Sequence, residues 1–261
     1  MPALISFLSD FGRSDTYVGQ VKGVIARESP DIRVIDLTHE VPAQDLRTGA
    51  FLLMTSVEVF PEGTVHLAVV DPGVGSSRRA IAVETRRSDV LVGPDNGLLA
   101  PAIERLGGAV QVVVLDASAE WGPRRSTTFH GRDLFGPVAA RIAVGRQIST
   151  LGKVVDRLEV RYELPQPISQ GTFVRGEVLH IDTYGNLVTN IPEALLPERF
   201  VAFVGEAVVT GAPHSHYGEV AAGELLALVG SSGYLEISAR DASASLRTLA
   251  KRGDPIVLQR E

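Results

Sequence analysis

The feature of this sequence that most limits its possible folds is a change of rhythm partway along it. Up to about Gly145, short apolar runs at 4–8, 32–37, 65–70, 80–83, 90–92 and 110–115 alternate with stretches of helical period at 18–27, 45–60, 98–106 and 133–144. Runs of four to eight apolar residues bounded by turn signals read as buried strands, and their alternation with helices predicts a mostly parallel sheet covered by helices. After Asp156 the helical period all but disappears. Strand-like runs follow at 173–181, 187–191, 200–204, 225–229, 234–237 and 256–258, with one short helix candidate after Asp241. Closely spaced short strands predict a small barrel or sandwich. Pro165 and Pro167 mark the linker, so the expected domains are 1–164, α/β, and 165–261, smaller and all-β. A chain of 261 residues is long enough for two such cores.

Composition removes several functional classes. A formal charge of −6 and an isoelectric point near 5.6 give no basic footprint for nucleic acid. No apolar stretch approaches the ~20 residues of a spanning helix, and the N-terminus shows no basic segment leading to a cleavage site, so a cytoplasmic address is expected. With no cysteine, disulfides, thiolate catalysis and thiolate metal sites are excluded.

In open parallel sheets ligands bind beyond the carboxyl ends of the strands, and there this sequence is acidic. Ser9-Asp10-Phe11-Gly12 follows the first run, Asp36 closes the second, Asp71-Pro72-Gly73-Val74-Gly75 follows the third, and Gly93-Pro94-Asp95-Asn96-Gly97 follows another. Asp, Gly and Pro also serve as turn and capping residues, and Asp36 and Asp95 are read that way. Asp10 and Asp71 are the stronger candidates, because each ends a buried run and is followed by Gly that lets a ligand approach the backbone. Gly73-Val74-Gly75 lacks the third Gly of a dinucleotide fingerprint and the Lys of a P-loop, so a nucleoside is easier to accommodate than a nucleotide. A carboxylate suits a nucleoside, since it accepts two hydrogen bonds from a ribose diol.

Of the six histidines, none has the i, i+4 spacing of a zinc hydrolase. His66 and His180 fall within strands and read as structural, His214 and His216 as a surface pair, and His39 is ambiguous. His130, in Thr127-Thr128-Phe129-His130-Gly131-Arg132-Asp133, keeps company with hydroxyls and charges. Arg78 stands beside Arg79, which taken alone is an ordinary solvated basic pair. In the second half, Asp182, Tyr184, Gly185 and Asn186 form a turn whose ring can stack on a base and whose amide can read its edge. Gly230-Ser231-Ser232-Gly233 makes a second polar turn, followed by Glu236.

Taken together, Ser9-Asp10-Phe11-Gly12, Asp71-Pro72-Gly73-Val74-Gly75, Phe129-His130-Gly131-Arg132-Asp133, Asp182 with Tyr184-Gly185-Asn186 and Thr189-Asn190-Ile191, and Gly233-Tyr234-Leu235-Glu236-Ile237 resemble the S-adenosyl-L-methionine hydroxide adenosyltransferases, relatives of enzymes that attack the same substrate with halide. The resemblance covers nearly the whole chain. It implies an N-terminal α/β domain carrying an Asp-Arg-His set at Asp71, Arg78 and His130, and a C-terminal barrel-like domain contributing adenine and methionine contacts. It further implies a homotrimer with the substrate held between neighbouring subunits. Asp10 would hold the ribose hydroxyls. Tyr184 and Asn186 would meet the adenine, aided by the backbone near Ala239. Asp15, Asp182, Ser231 and Glu236 would engage the methionine end, while Ser232 stands where a halogenating relative carries Arg.

The implied reaction is displacement at C5′, which expels a neutral thioether and needs no acid for the leaving group. It requires no metal or other cofactor. Arg78 is always protonated and favours hydroxide by its field, leaving His130 or Asp71 as proton acceptor. Three alternatives share the residues: halide transfer, disfavoured by the Arg78 and His130 pair; a noncatalytic sensor of S-adenosyl-L-methionine or adenosine; and a metal-dependent nucleotide hydrolase using Asp10, Asp71 and Asp95.

Overall fold

The architecture was taken from a computed structural model that describes residues 3–116, 119, 121 and 126–261. The chain divides into two compact units, Met1–Glu163 and Leu164–Glu261. In the first, strands β1 (Leu4–Ser9), β2 (Arg33–Thr38), β3 (Val65–Val69), β4 (Ala80–Thr85), β5 (Val90–Pro94), β6 (Ala109–Leu115) and β7 (Gly152–Val155) form one sheet in the order β2-β1-β3-β5-β4-β6-β7. Strands β2, β1, β3 and β5 pair in parallel, while β4 runs antiparallel to both β5 and β6. Five of the seven, β2, β1, β3, β5 and β6, therefore share one direction, and the sheet is mostly parallel as the alternation predicts. Every residue of β3 is buried, the pattern of a strand covered on both faces.

Helices α1 (Tyr17–Glu28), α2 (Leu46–Ser56), α3 (Ala100–Arg105) and α4 (Gly136–Ala143) cover it. Asp45 caps α2 by accepting from the Thr48 N–H at 3.1 Å. α1 buries Val21, Val24 and Ile25. α4 packs closely there, because a Cβ at Gly136 would lie 3.2 Å from the side chains of Val21 and Val24. The helix expected over 133–144 begins differently: Gly131–Phe135 forms a wide π turn, closed by the Gly136 N–H on the Gly131 carbonyl. The next residue, Pro137, has no N–H with which to continue an ordinary ladder.

In the second unit, β8 (Ile168–Gln170), β9 (Phe173–Ile181), β10 (Leu187–Pro192), β11 (Phe200–Val204), β12 (Ala207–Gly211), β13 (Leu225–Val229), β14 (Tyr234–Ala239) and β15 (Pro255–Arg260) pair antiparallel throughout. The order is β12-β11-β15-β9-β10-β14-β13, with β8 on β9, and the outer strands β12 and β13 approach one another to give a nearly closed barrel-like sheet. Its core holds Val178, Leu187, Ile191, Phe200, Leu235, Ile237, Ile256 and Leu258. The helix candidate after Asp241 is α5 (Ala244–Thr248), capped by Ser243. The strands that the apolar pattern does not show, β7, β8 and β12, are short, exposed and at or beside sheet edges, where pairing requires no apolar run. Two residues of the resembling motifs act within this fold. Asn190 accepts from the Glu177 N–H at 2.8 Å and donates to the Pro165 carbonyl at 2.7 Å, and the Thr189 hydroxyl donates to the Leu235 carbonyl at 2.9 Å.

Candidate active site

The β1–β3 register sets Ser9 opposite Val69, so Asp10 and Asp71 leave the sheet from the ends of adjacent strands. Past β3, the Asn96 amide holds the Val70 carbonyl at 2.9 Å and the chain turns through Gly73 and Gly75. Gly75 has φ +80°, and a Cβ on it would stand 2.6 Å from the Thr127 carbonyl oxygen, so only Gly lets this turn close on the 126–130 segment. That approach brings Arg78 to both of its partners. Its Nε donates to Asp71 Oδ1 at 2.9 Å, a second N–H donates to Asp71 Oδ2, and the same nitrogen lies 2.8 Å from His130 Nδ1. The side chains of Asp71 and Arg78 are 6% and 11% exposed, so this two-pronged pair is shielded from solvent.

Arg78 has no lone pair to offer, so His130 Nδ1 accepts and the neutral ring carries its proton on Nε2. Burial first, and then the Arg78 charge, holds the His130 pKa below the ordinary histidine value, against the opposing pull of Asp71 and Asp133. The ring sits at the start of the π turn, a deformation common at functional sites. The expected solvated pair Arg78-Arg79 is split. Arg79 turns instead to Asp95, whose buried carboxylate also accepts from the Glu159 N–H at 2.9 Å. Asp95 thus ties down the 157–160 segment. With Asp71 and Asp95 each neutralised by Arg, the trio of Asp10, Asp71 and Asp95 lacks the free carboxylates that a hard cation requires.

Asp10 is held from the β2–α2 connection. Its Oδ2 accepts from the Gln44 N–H at 2.8 Å, and Gln44 has φ 65°, a left-handed conformation unusual for its type. The Ser9 hydroxyl meets His39 Nδ1 at 2.7 Å, and the Gly12 N–H donates to the His39 carbonyl at 2.7 Å. His39 Nε2 lies 3.2 Å from Asp36 Oδ1, off the direction of a hydrogen bond, and burial pushes its pKa down. The ambiguous His39 is thereby a brace for the Ser9–Gly12 loop, and Asp36, expected in a turn, lies within β2 and pairs with Lys22 at 2.6 Å. His66 makes a similar string, with Ser6 at 2.7 Å and Asp89 at 3.4 Å, but all three side chains are fully buried and structural. Phe11 packs edge-on against Phe129 at 5.6 Å between centroids, joining the Asp10 loop to the segment that carries His130. Asp15 lies exposed in the bend before α1.

In the second unit Asp182 organises its own turn. Oδ1 accepts from the N–H groups of Tyr184 and Asn186, and Oδ2 from the Asn186 amide, each at 2.9 Å. Because Asp182 accepts, Asn186 presents Nδ2 to it, leaving its own Oδ1 as an acceptor. Gly185 has φ +84° and packs on Ser243. Tyr184 is 78% exposed. Ser231 is exposed in the β13–β14 turn, and Ala239, at the end of β14, is buried. Glu236 is also buried, and Oε1 accepts from Tyr217 at 2.9 Å and Ser238 at 2.7 Å. Tyr217 and the Gln44 N–H escape a reading of the sequence, one in a loop with no periodicity and the other a backbone group. His214 pairs with Glu219 at 2.9 Å near the surface, as expected of it. A cavity of about 520 Å³ in the first unit is lined by Leu4, Val65 and Val90, the first residues of β1, β3 and β5, and so lies at the opposite end of the sheet from Asp71.

A mostly parallel α/β unit with an Asp-Arg-His string at its strand ends, followed by an antiparallel barrel-like unit with an Asp-braced Asn, defines a two-unit protein of mixed class. The chain belongs to the SAM hydroxide adenosyltransferase family, whose N-terminal domain matches residues 5–152 and whose C-terminal domain matches 176–257. It is 41% identical over 251 residues to the (R)-S-adenosyl-L-methionine hydrolase of Salinispora tropica, covering 92% of each chain. It is 40% identical to the protein of the same name from Thermus thermophilus, covering 97% of this chain and 98% of that one. Proteins named fluorinase are more distant, among them one from Nocardia brasiliensis at 26%. The crystal structure of an uncharacterized conserved protein from Thermotoga maritima superposes with a TM-score of 0.92 at 36% identity, covering 98% of this chain and all of that one.

Proposed function

We propose that the protein hydrolyses S-adenosyl-L-methionine to adenosine and L-methionine by in-line attack of water on C5′. The observation that carries this reading is the contact string Asp71, Arg78, His130, which is matched to water rather than halide chemistry. The relatives named hydrolase stand well above those named fluorinase in identity, which supports the same choice.

The sulfonium leaves as a neutral thioether, so all the assistance goes to the nucleophile. Arg78 supplies a fixed positive field that favours hydroxide character, and His130 donates its Nε2–H to the water oxygen and aims it at C5′. His130 has no spare lone pair unless it releases Arg78. Asp71 Oδ2 accepts two N–H groups of Arg78, whereas Oδ1 accepts one and keeps acceptor capacity, which makes Asp71 the proton acceptor. Asp71 suffices in that role because the attacking water grows acidic as its bond to C5′ forms. No cofactor enters this scheme.

In the same reading Asp10 receives the ribose diol, its Oδ2 already fixed by Gln44. Asn186 and Tyr184 receive the adenine, with Ala239 beside them, and Asp15, Asp182, Ser231 and Glu236 surround the methionyl group. The first unit carries the chemistry and the second the recognition, brought together between subunits of a cytoplasmic homotrimer; the exposed Tyr184 ring supports a partner from a neighbouring copy. Incubation with S-adenosyl-L-methionine and chromatography tests the reading: methionine and adenosine should appear together. Binding of adenosine without methionine release would favour a sensor, and a 5′-halogenated nucleoside formed in chloride or fluoride would favour halide transfer.

A further inference from the structure

Glu236 presents an unusual balance. It is 94% buried by its 6% exposure, yet among the described residues no Lys, Arg or His pairs with it. Both of its neutral donors, the Tyr217 and Ser238 hydroxyls, converge on the single oxygen Oε1. Oε2 faces Gly230, where a Cβ would lie 2.7 Å away, so backbone without a side chain forms that wall. No donor among the described residues reaches Oε2, and that oxygen is not sealed from solvent, so this mostly buried carboxylate keeps one oxygen open to a cationic partner. The Asp182 charge also reaches Tyr217, so two acidic groups face the same phenol. Burial, and then the bond to Glu236, push the Tyr217 pKa up to about 12, which keeps the phenol a donor. The loop that delivers it is pinned on both sides. Glu219 accepts from the Ser215 hydroxyl and pairs with His214, and Arg240 donates to the Val220 carbonyl at 2.8 Å.

We propose that Tyr217 is a positioning residue which, with Ser238, ties down one oxygen of Glu236 so that the other receives a primary ammonium, the α-ammonium of the methionyl group. This rests on S-adenosyl-L-methionine being the substrate. A carboxylate held by two donors needs no reordering when the ammonium arrives, and that preorganisation appears in binding rather than in chemistry at C5′.

The test compares wild type with Tyr217→Phe, which keeps the ring and removes the donor. KM for S-adenosyl-L-methionine should rise about five- to tenfold with kcat changed by less than about twofold, while the Kd for adenosine, which has no ammonium, stays constant. Glu236→Gln should shift the same ratio further. An unchanged KM, or equal losses for S-adenosyl-L-methionine and adenosine, would overturn the positioning role. Absence of methionine release from the wild type would overturn this role and the hydrolase reading together, so the two failures are told apart by the control.

Discussion

Arg78 serves two neighbours with opposite needs, a carboxylate that takes a fork of N–H groups and an imidazole nitrogen that takes one. An ammonium on a flexible stem cannot span both, so Arg78→Lys should lower kcat by roughly 10²-fold while leaving adenosine affinity unchanged, as read from steady-state rates and equilibrium binding. The same geometry sets the pH response. Acid that protonates His130 at Nδ1 expels Arg78, so kcat/KM should fall on the acid side with an apparent pKa below 6.5; an acid limb at or above 6.5 would contradict the lowered value, and a loss on the alkaline side instead would mean the ring works charged. For stability the sign follows from the depressed values of His39 and His130. The folded protein binds fewer protons than the unfolded chain, so their contribution is present above about 6.5 and is lost as pH falls from there through the lower folded values, as melting temperature against pH would record. At this scale the sequence displayed the residue types but not the pairings. Asp71 and His130 stood out by their surroundings, whereas the choice of Arg78 over Arg79 depends on a turn closing against a segment some fifty residues away.

Among elements, the Asp71–Gly75 turn bears the tightest constraint. Gly75→Ala meets both a positive φ and a carbonyl oxygen at 2.6 Å, so it should cost about 2 kcal/mol or more and displace Arg78 from His130. Thermal melts should show the loss, with turnover falling further than stability alone explains. Gln44→Gly carries the opposite expectation: relief of the left-handed strain offsets the added freedom of the unfolded chain, and the melting temperature should barely move. Strands with apolar runs were readable almost to the residue, as β9, β11 and β13 show. The edge strands β7, β8 and β12 were not, because they bury little apolar side chain, Val209 of β12 apart, and pair mainly through backbone bonds. Nor was the π turn, since its cause is one missing N–H inside a convincing helical pattern.

At the scale of the whole molecule, the break in rhythm marked two units, but nothing in a periodicity reports how copies of a chain meet. The proposed trimer should appear in light scattering as three times 27.9 kDa, and a mass of 27.9 kDa would remove it. Tyr184 gives that arrangement a kinetic signature. If Tyr184 is the adenine platform of the proposed site, a ring left 78% in water by its own protomer is half a binding surface, and occupancy of the other half obeys mass action. Serial dilution should therefore depress specific activity, with a lag on reconcentration, whereas a catalyst complete within one polypeptide would turn over at the same rate per molecule however sparse it became.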